Sequence, residues 1–172
     1  LIEIDITRGN LDPLPIAVSP LFQDDNSKRN SINELKIENV GSEISLVVEN
    51  NLKISGLFNP LSKEAFLQKP DIAHLKPRFE DWALIKAQAL ITGKVTIEDK
   101  KLKVEFRLWD ILAGREMMAL AFTTVPSNWR RVGHIISDKV YERLTGEKGY
   151  FDTRIIYVSE EGPKTARVKK LA

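Results

Sequence analysis

The chain has two histidines and no cysteine, so it has few candidates for acid–base, nucleophilic or metal chemistry. His74 and His134 stand far apart, with no ligand-like spacing to each other. His134 follows Gly133 in a helical stretch and reads as a structural or partly exposed residue. His74 lies in a proline-bounded loop and reads as surface. Ser127-Asn128 and Ser137-Asp138 lack the strand–turn–helix setting of a nucleophile elbow. Asp24-Asp25 and Glu98-Asp99 are adjacent pairs in polar turns, and loop neighbours rarely converge into an acid/base site. No glycine-rich loop suits a phosphate. The residues therefore predict no catalytic centre, no metal and no cofactor.

Recognition chemistry remains. In the opening stretch Ile2, Ile4 and Ile6 alternate with Glu3, Asp5 and Thr7, and Arg8-Gly9-Asn10 ends the run. Period-two alternation predicts a strand with one buried face. Such a segment can dock on its own domain or add to a partner's exposed sheet edge. Its main-chain hydrogen bonds would give affinity and its isoleucines would serve as anchors. Glu3 and Asp5 would favour a basic partner surface. Of the three tryptophans, Trp109 falls on the polar face of its strand and is a candidate anchor. Burial in the core or against a helix is the favoured reading.

Other elements must position these residues. Pro15 to Val18 reads as a short strand, and residues 23–39 as an exposed connection with at most a frayed helical turn. Val40, Ile44, Val47, Val48 and Leu52 recur at helical spacing, which predicts a helix over 42–54 with Ser42 as its cap. Residues 58–61 read as a turn and residues 62–67 as one short helix. Pro70 and Pro77 interrupt the stretch after it. A further short helix covers 79–88, with Phe79, Trp82, Ala83 and Leu84 as burial candidates. Residues 89–97 are largely apolar and β-branched. Leu102, Val104, Phe106 and Leu108 alternate with Lys103, Glu105 and Arg107, and another strand spans roughly 116–125. Together these predict a three-strand antiparallel meander. A long helix comes next, capped by Ser127 and stopped at Thr145-Gly146, with Val132, Ile136, Val140 and Leu144 as its apolar stripe. A glycine-punctuated link then leads to a strand over 154–159, for which only residues 167–171 offer pairing. This orphan strand suggests a chain that stops inside a following domain. It also suggests a non-physiological dimer, with residues 151–172 pairing between two copies. The predicted fold class is α+β, a mixed sheet of about five strands with two main helices packed on one face.

Composition excludes some partners. At 172 residues, 42% hydrophobic and 29% charged, the chain is ordinary for a soluble globular protein. A net charge of +2, from 26 basic and 24 acidic residues, argues against a nucleic-acid binder. The short basic run Lys164, Arg167, Lys169 and Lys170 comes after Gly162-Pro163 and reads as a solvated turn and strand face. No apolar run approaches the roughly 20 residues of a membrane helix, so direct membrane insertion is not expected. The opening residues read as structure rather than a targeting segment.

Longer runs carry a resemblance. Trp129-Arg130-Arg131-Val132-Gly133-His134 through Ser137-Asp138, Tyr141 through Gly149, and Thr153-Arg154-Ile155-Ile156-Tyr157-Val158 resemble the TolB family. There the same stretch forms the last helix of the amino-terminal domain, the link and the first propeller strand. Ser55-Gly56-Leu57-Phe58-Asn59-Pro60-Leu61, Ala89 through Val95, and the start at Ile4 to Gly9 with Pro15-Ile16 add to it. The resemblance implies an amino-terminal α/β domain over 1–148, similar to anticodon-binding domains. It places the link and first strands of a β-propeller at 149–172. It further implies a periplasmic, non-enzymatic interaction module of the Tol-Pal system that links TolA and Pal, and so supports outer-membrane integrity and envelope constriction during division. Pal would bind through the propeller, and the carboxy-terminal domain of TolA through the amino-terminal segment. On this chain that segment is Leu1, Ile2, Glu3, Ile4, Asp5, Ile6, Thr7, Arg8, Gly9, Asn10, Leu11 and Asp12. A domain that only positions the propeller is the alternative, with a nucleic-acid module behind it.

Overall fold

The computed structural model describes residues 2–6, 12–153, 158–161 and 168–171. Its centre is the meander. Strands β4 (Ala89–Glu98), β5 (Lys101–Asp110) and β6 (Arg115–Thr124) pair antiparallel in sequence order. Asp99 and Lys100 both have positive φ, 49° and 57°, as a two-residue hairpin loop requires. On the other side of β4 lie β1 (Leu14–Val18), parallel to it, and then β3 (Phe58–Pro60), parallel to β1. The two-residue strand β2 (Phe22–Gln23) also pairs with β4, where β1 has ended. The result is a mixed sheet of six strands, in which residues 58–60 extend along β1 instead of turning and residues 22–23 add to β4.

Two long helices cover one face, as the periodicity predicts. Helix α2 (Val40–Ile54) buries Val40, Ile44, Val48 and Leu52, and α5 (Trp129–Thr145) buries Val132, Ile136, Val140 and Leu144. With Ile16, Val18, Ile91, Val95, Val104, Phe106 and Leu108 they form the main core. Both predicted caps are displaced. Asn39 Oδ1 accepts from the Ser42 amide at 3.0 Å, so the helix starts two residues earlier. Ser127 sits inside a 3-10 turn, Pro126–Asn128, and α5 begins after it. Gly146, at φ 76°, ends α5.

The opposite face carries a second, smaller core that the sequence patterns do not announce. Ala17, Leu90 and Ile111 meet Ala73, Ala87 and Trp82 there. Helix α3 (Pro70–Ala73) starts at Pro70, which fills the first helical position where no N–H is needed. Helix α4 (Phe79–Leu84) comes next; it buries Trp82 and half-buries Phe79, but leaves Ala83 and Leu84 exposed. Gln68 Oε1 accepts from Trp82 Nε1 at 3.0 Å and from the Arg78 amide at 2.9 Å. Residues 62–67 form only a 3-10 turn, Lys63–Ala65.

Residues 23–39 are not an open connection. They contain the eleven-residue helix α1 (Asp25–Leu35), capped by Asp24, which accepts from the Ser27 amide at 2.8 Å. Polar bonds fasten it to the sheet. Ser27 Oγ accepts from the Ile97 amide and Asn30 Nδ2 donates to the Ile97 carbonyl. At the far end, β7 (Val158–Glu161) and β8 (Val168–Leu171) pair antiparallel within the chain as a separate ribbon. The expected strand residues 154–157, like Lys164 and Arg167 of the basic run, lie outside the described residues.

Candidate functional site

The amino-terminal segment meets the domain where α5 ends. A helix leaves its last carbonyls without intrahelical partners. One of these, Leu144 O, accepts from the Ile4 amide at 2.7 Å. The Ile2 amide donates to Asp110 Oδ2 at 3.2 Å. Ile2 and Ile4, each 9% exposed, belong to the main core. Residues 2–5 join no strand and Ile6 is in a turn, so the predicted strand is corrected to an extended segment docked on a helix end. The alternation holds for Ile2 and Ile4 inward and Glu3 and Asp5 outward, but fails at Ile6, which is 38% exposed. Asp12 is exposed. Leu1, Thr7, Arg8, Gly9, Asn10 and Leu11 lie outside the described residues.

Asp110 is the site residue that sequence reasoning passed over. It is 1% exposed, and a carboxylate so deeply buried needs hydrogen-bond donors. Oδ1 accepts from the Ala113 amide at 2.9 Å, closing the β5–β6 turn, and Oδ2 takes the Ile2 amide. The signal was present. In the run Leu102, Val104, Phe106, Leu108, the next inward position is an aspartate.

Open grooves flank the segment. One, of about 410 Å³, is lined by Glu3, Ile4, Asp5, Ile6, Thr145 and Glu147. A second, also about 410 Å³, is lined by Glu3, Ile4, Asp5 and residues 12–15 with Gln88. Glu3, Asp5, Asp12 and Glu147 give this surface an acidic character. Among the described residues, no group of three or more His, Asp or Glu side chains is arranged to hold a metal.

The other candidates have structural positions. Asn51 Nδ2 lies 2.9 Å from His134 Nδ1 and donates to Ser137 Oγ at 3.0 Å, which ties α2 to α5. His74 stacks on Phe22 at 4.6 Å between ring centres. Trp109 is half-buried, donates to Thr92 Oγ1 at 2.9 Å and meets Phe79 edge-on at 5.9 Å. It packs under α4, as the burial reading had it.

Comparison with known proteins leads in the same direction. The model of the TolB amino-terminal domain matches residues 2–117. The Tol-Pal system protein TolB of Pelagibacter ubique (strain HTCC1062) is 80% identical over 172 residues, covering 100% of this chain and 39% of that protein. The crystal structure of TolB from Acinetobacter baumannii aligns at TM-score 0.67, over 92% of this chain and 35% of that one. At 23% identity this likeness is one of fold. Among the described residues, no helix is long and apolar enough to cross a membrane.

Proposed function

Because the chain belongs to the TolB family, we propose that it is a protein–protein interaction module of the Tol-Pal trans-envelope system, working in the periplasm and not an enzyme. On this reading residues 1–148 are the amino-terminal α/β domain, and residues 149–172 are the link and first strands of a propeller. Residues 1–12 add to the sheet edge of the carboxy-terminal domain of TolA, and the propeller binds Pal. Linking the two supports outer-membrane integrity and envelope constriction during cell division.

The observation that supports this most is the segment's mixed state. Ile2 and Ile4 are seated in the core while the backbone of residues 2–5 joins no strand. A partner sheet that paired the backbone and buried Ile2 and Ile4 could exchange with the docked state. Burial of the two side chains stabilises docking by about 3–6 kcal/mol. Self-docking then lowers apparent affinity by a factor on the order of 10²–10⁴. The acidic rim of Glu3, Asp5, Asp12 and Glu147 suits a basic partner surface, so binding should weaken as salt rises.

Deletion of residues 1–12 tests the reading. Titration calorimetry against the TolA carboxy-terminal domain is expected to show binding by the parent chain and none by the truncated one. Circular dichroism should confirm that the fold survives the deletion. Undiminished affinity would remove the proposed role and leave a domain that only positions the propeller.

A further inference from the structure

Side chains on one face of α5 pin the seven residues that follow it, the glycine-punctuated link of the sequence. Gly146, at φ 76°, turns the chain at the helix end. Asp138, halfway along α5, then receives two consecutive amides of the returning chain: Phe151 N–H on Oδ1 at 2.7 Å and Asp152 N–H on Oδ2 at 3.1 Å. Two turns earlier, Arg131 grips the Asp152 carboxylate with a fork, Nε to Oδ1 at 3.1 Å and Nη2 to Oδ2 at 3.2 Å. One turn after Asp138, the Tyr141 ring meets those of Tyr150 and Phe151 edge-on, at 5.5 and 5.9 Å. Residues at these intervals share a helix face. Gly149 lies so close that a β-carbon there would fall 2.5 Å from Asp138 Cα and 2.6 Å from its Cβ. Gly146 and Gly149 thus have separate tasks, one to turn and one to make contact, unlike glycines in a loose linker.

We propose that residues 146–152 are a fixed strap with Asp138 as its positioning residue. The chain beyond residue 153 then starts from a set place beside the amino-terminal half of α5, instead of trailing from the carboxy-terminal end. This holds whatever the amino-terminal segment binds. A carboxylate that accepts two adjacent amides fixes both direction and register of the strap, which an exposed ion pair alone would not do.

The absence of cysteine makes the test clean, because the introduced pair Glu43→Cys and Thr153→Cys takes spin labels without background. Both sites are exposed, one on α2 and one just past the strap. The parent chain should give a single narrow distance distribution. Asp138→Ala and Gly149→Ala should at least double its width, and Asp138→Asn, which keeps one acceptor, should fall between. In Asp138→Ala the Phe151 and Asp152 amides should exchange about tenfold faster while α5 amides hold their protection. Gly149→Ala lies outside the helix, so the test stands even if Asp138→Ala unfolds. A distribution already broad in the parent, or one that stays narrow in these variants, overturns the proposal.

Discussion

At Gly133 a β-carbon would sit 2.8 Å from Val47 Cγ1 and 2.9 Å from its Cβ. The absent methyl group lets α5 approach α2, and the Asn51–Ser137 bond bridges the same contact. Gly133→Ala is therefore expected to lose about 1–3 kcal/mol in urea unfolding through overpacking. Alanine is the better helix former by about 1 kcal/mol, so a net gain in stability would show that the contact is soft. Asp24 offers a second test at this scale. The hydrogen bond from the Ser27 amide, as the largest cause, holds its carboxyl below the ordinary aspartate range. A depressed folded-state value means the cap contributes fully above the unfolded value, and the contribution fades as pH falls below about 4. Asp24→Ala is expected to cost about 0.5–2 kcal/mol at neutral pH, with the gap to the parent narrowing in acid. An unchanged gap down to pH 2, followed by thermal unfolding, would contradict the assignment.

Elements that signal themselves by apolar period were legible in the sequence. The stripes of α2 and α5 and the alternation of β5 suffice to assign most of the main core. Helix α1 escaped because its buried residues are Ser27 and Ser31, and its ties to Ile97 are hydrogen bonds. Periodicity of apolar residues carries no record of such contacts. The second core escaped for a related reason: Trp82, Leu90 and Ile111 come from three short or two-faced segments, none with a stripe of its own. In the candidate site, the alternation of Ile2 and Ile4 against Glu3 and Asp5 was readable. Its docking partner was not, because a helix-end carbonyl such as Leu144 O belongs to the backbone and leaves no trace in residue type.

For the molecule as a whole, the sheet, the α2–α5 layer and the second core build the body that holds two segments, residues 2–6 and residues 146–152. The first seats Ile2 and Ile4 by the carboxy-terminal end of α5; the second runs back along that helix under the hold of Asp138 and Arg131. On the proposed function, the first segment exchanges between this docking place and a partner's sheet. Asp110→Asn probes it without altering the segment itself. Asparagine keeps an acceptor for the Ala113 amide but turns a donor toward the Ile2 amide, which weakens docking. Calorimetric titration of this variant with the TolA carboxy-terminal domain is the most direct measurement. Exchange predicts affinity several-fold tighter than the parent's, because less self-docking must be undone. Equal or weaker affinity, in a variant shown to be folded, would contradict it.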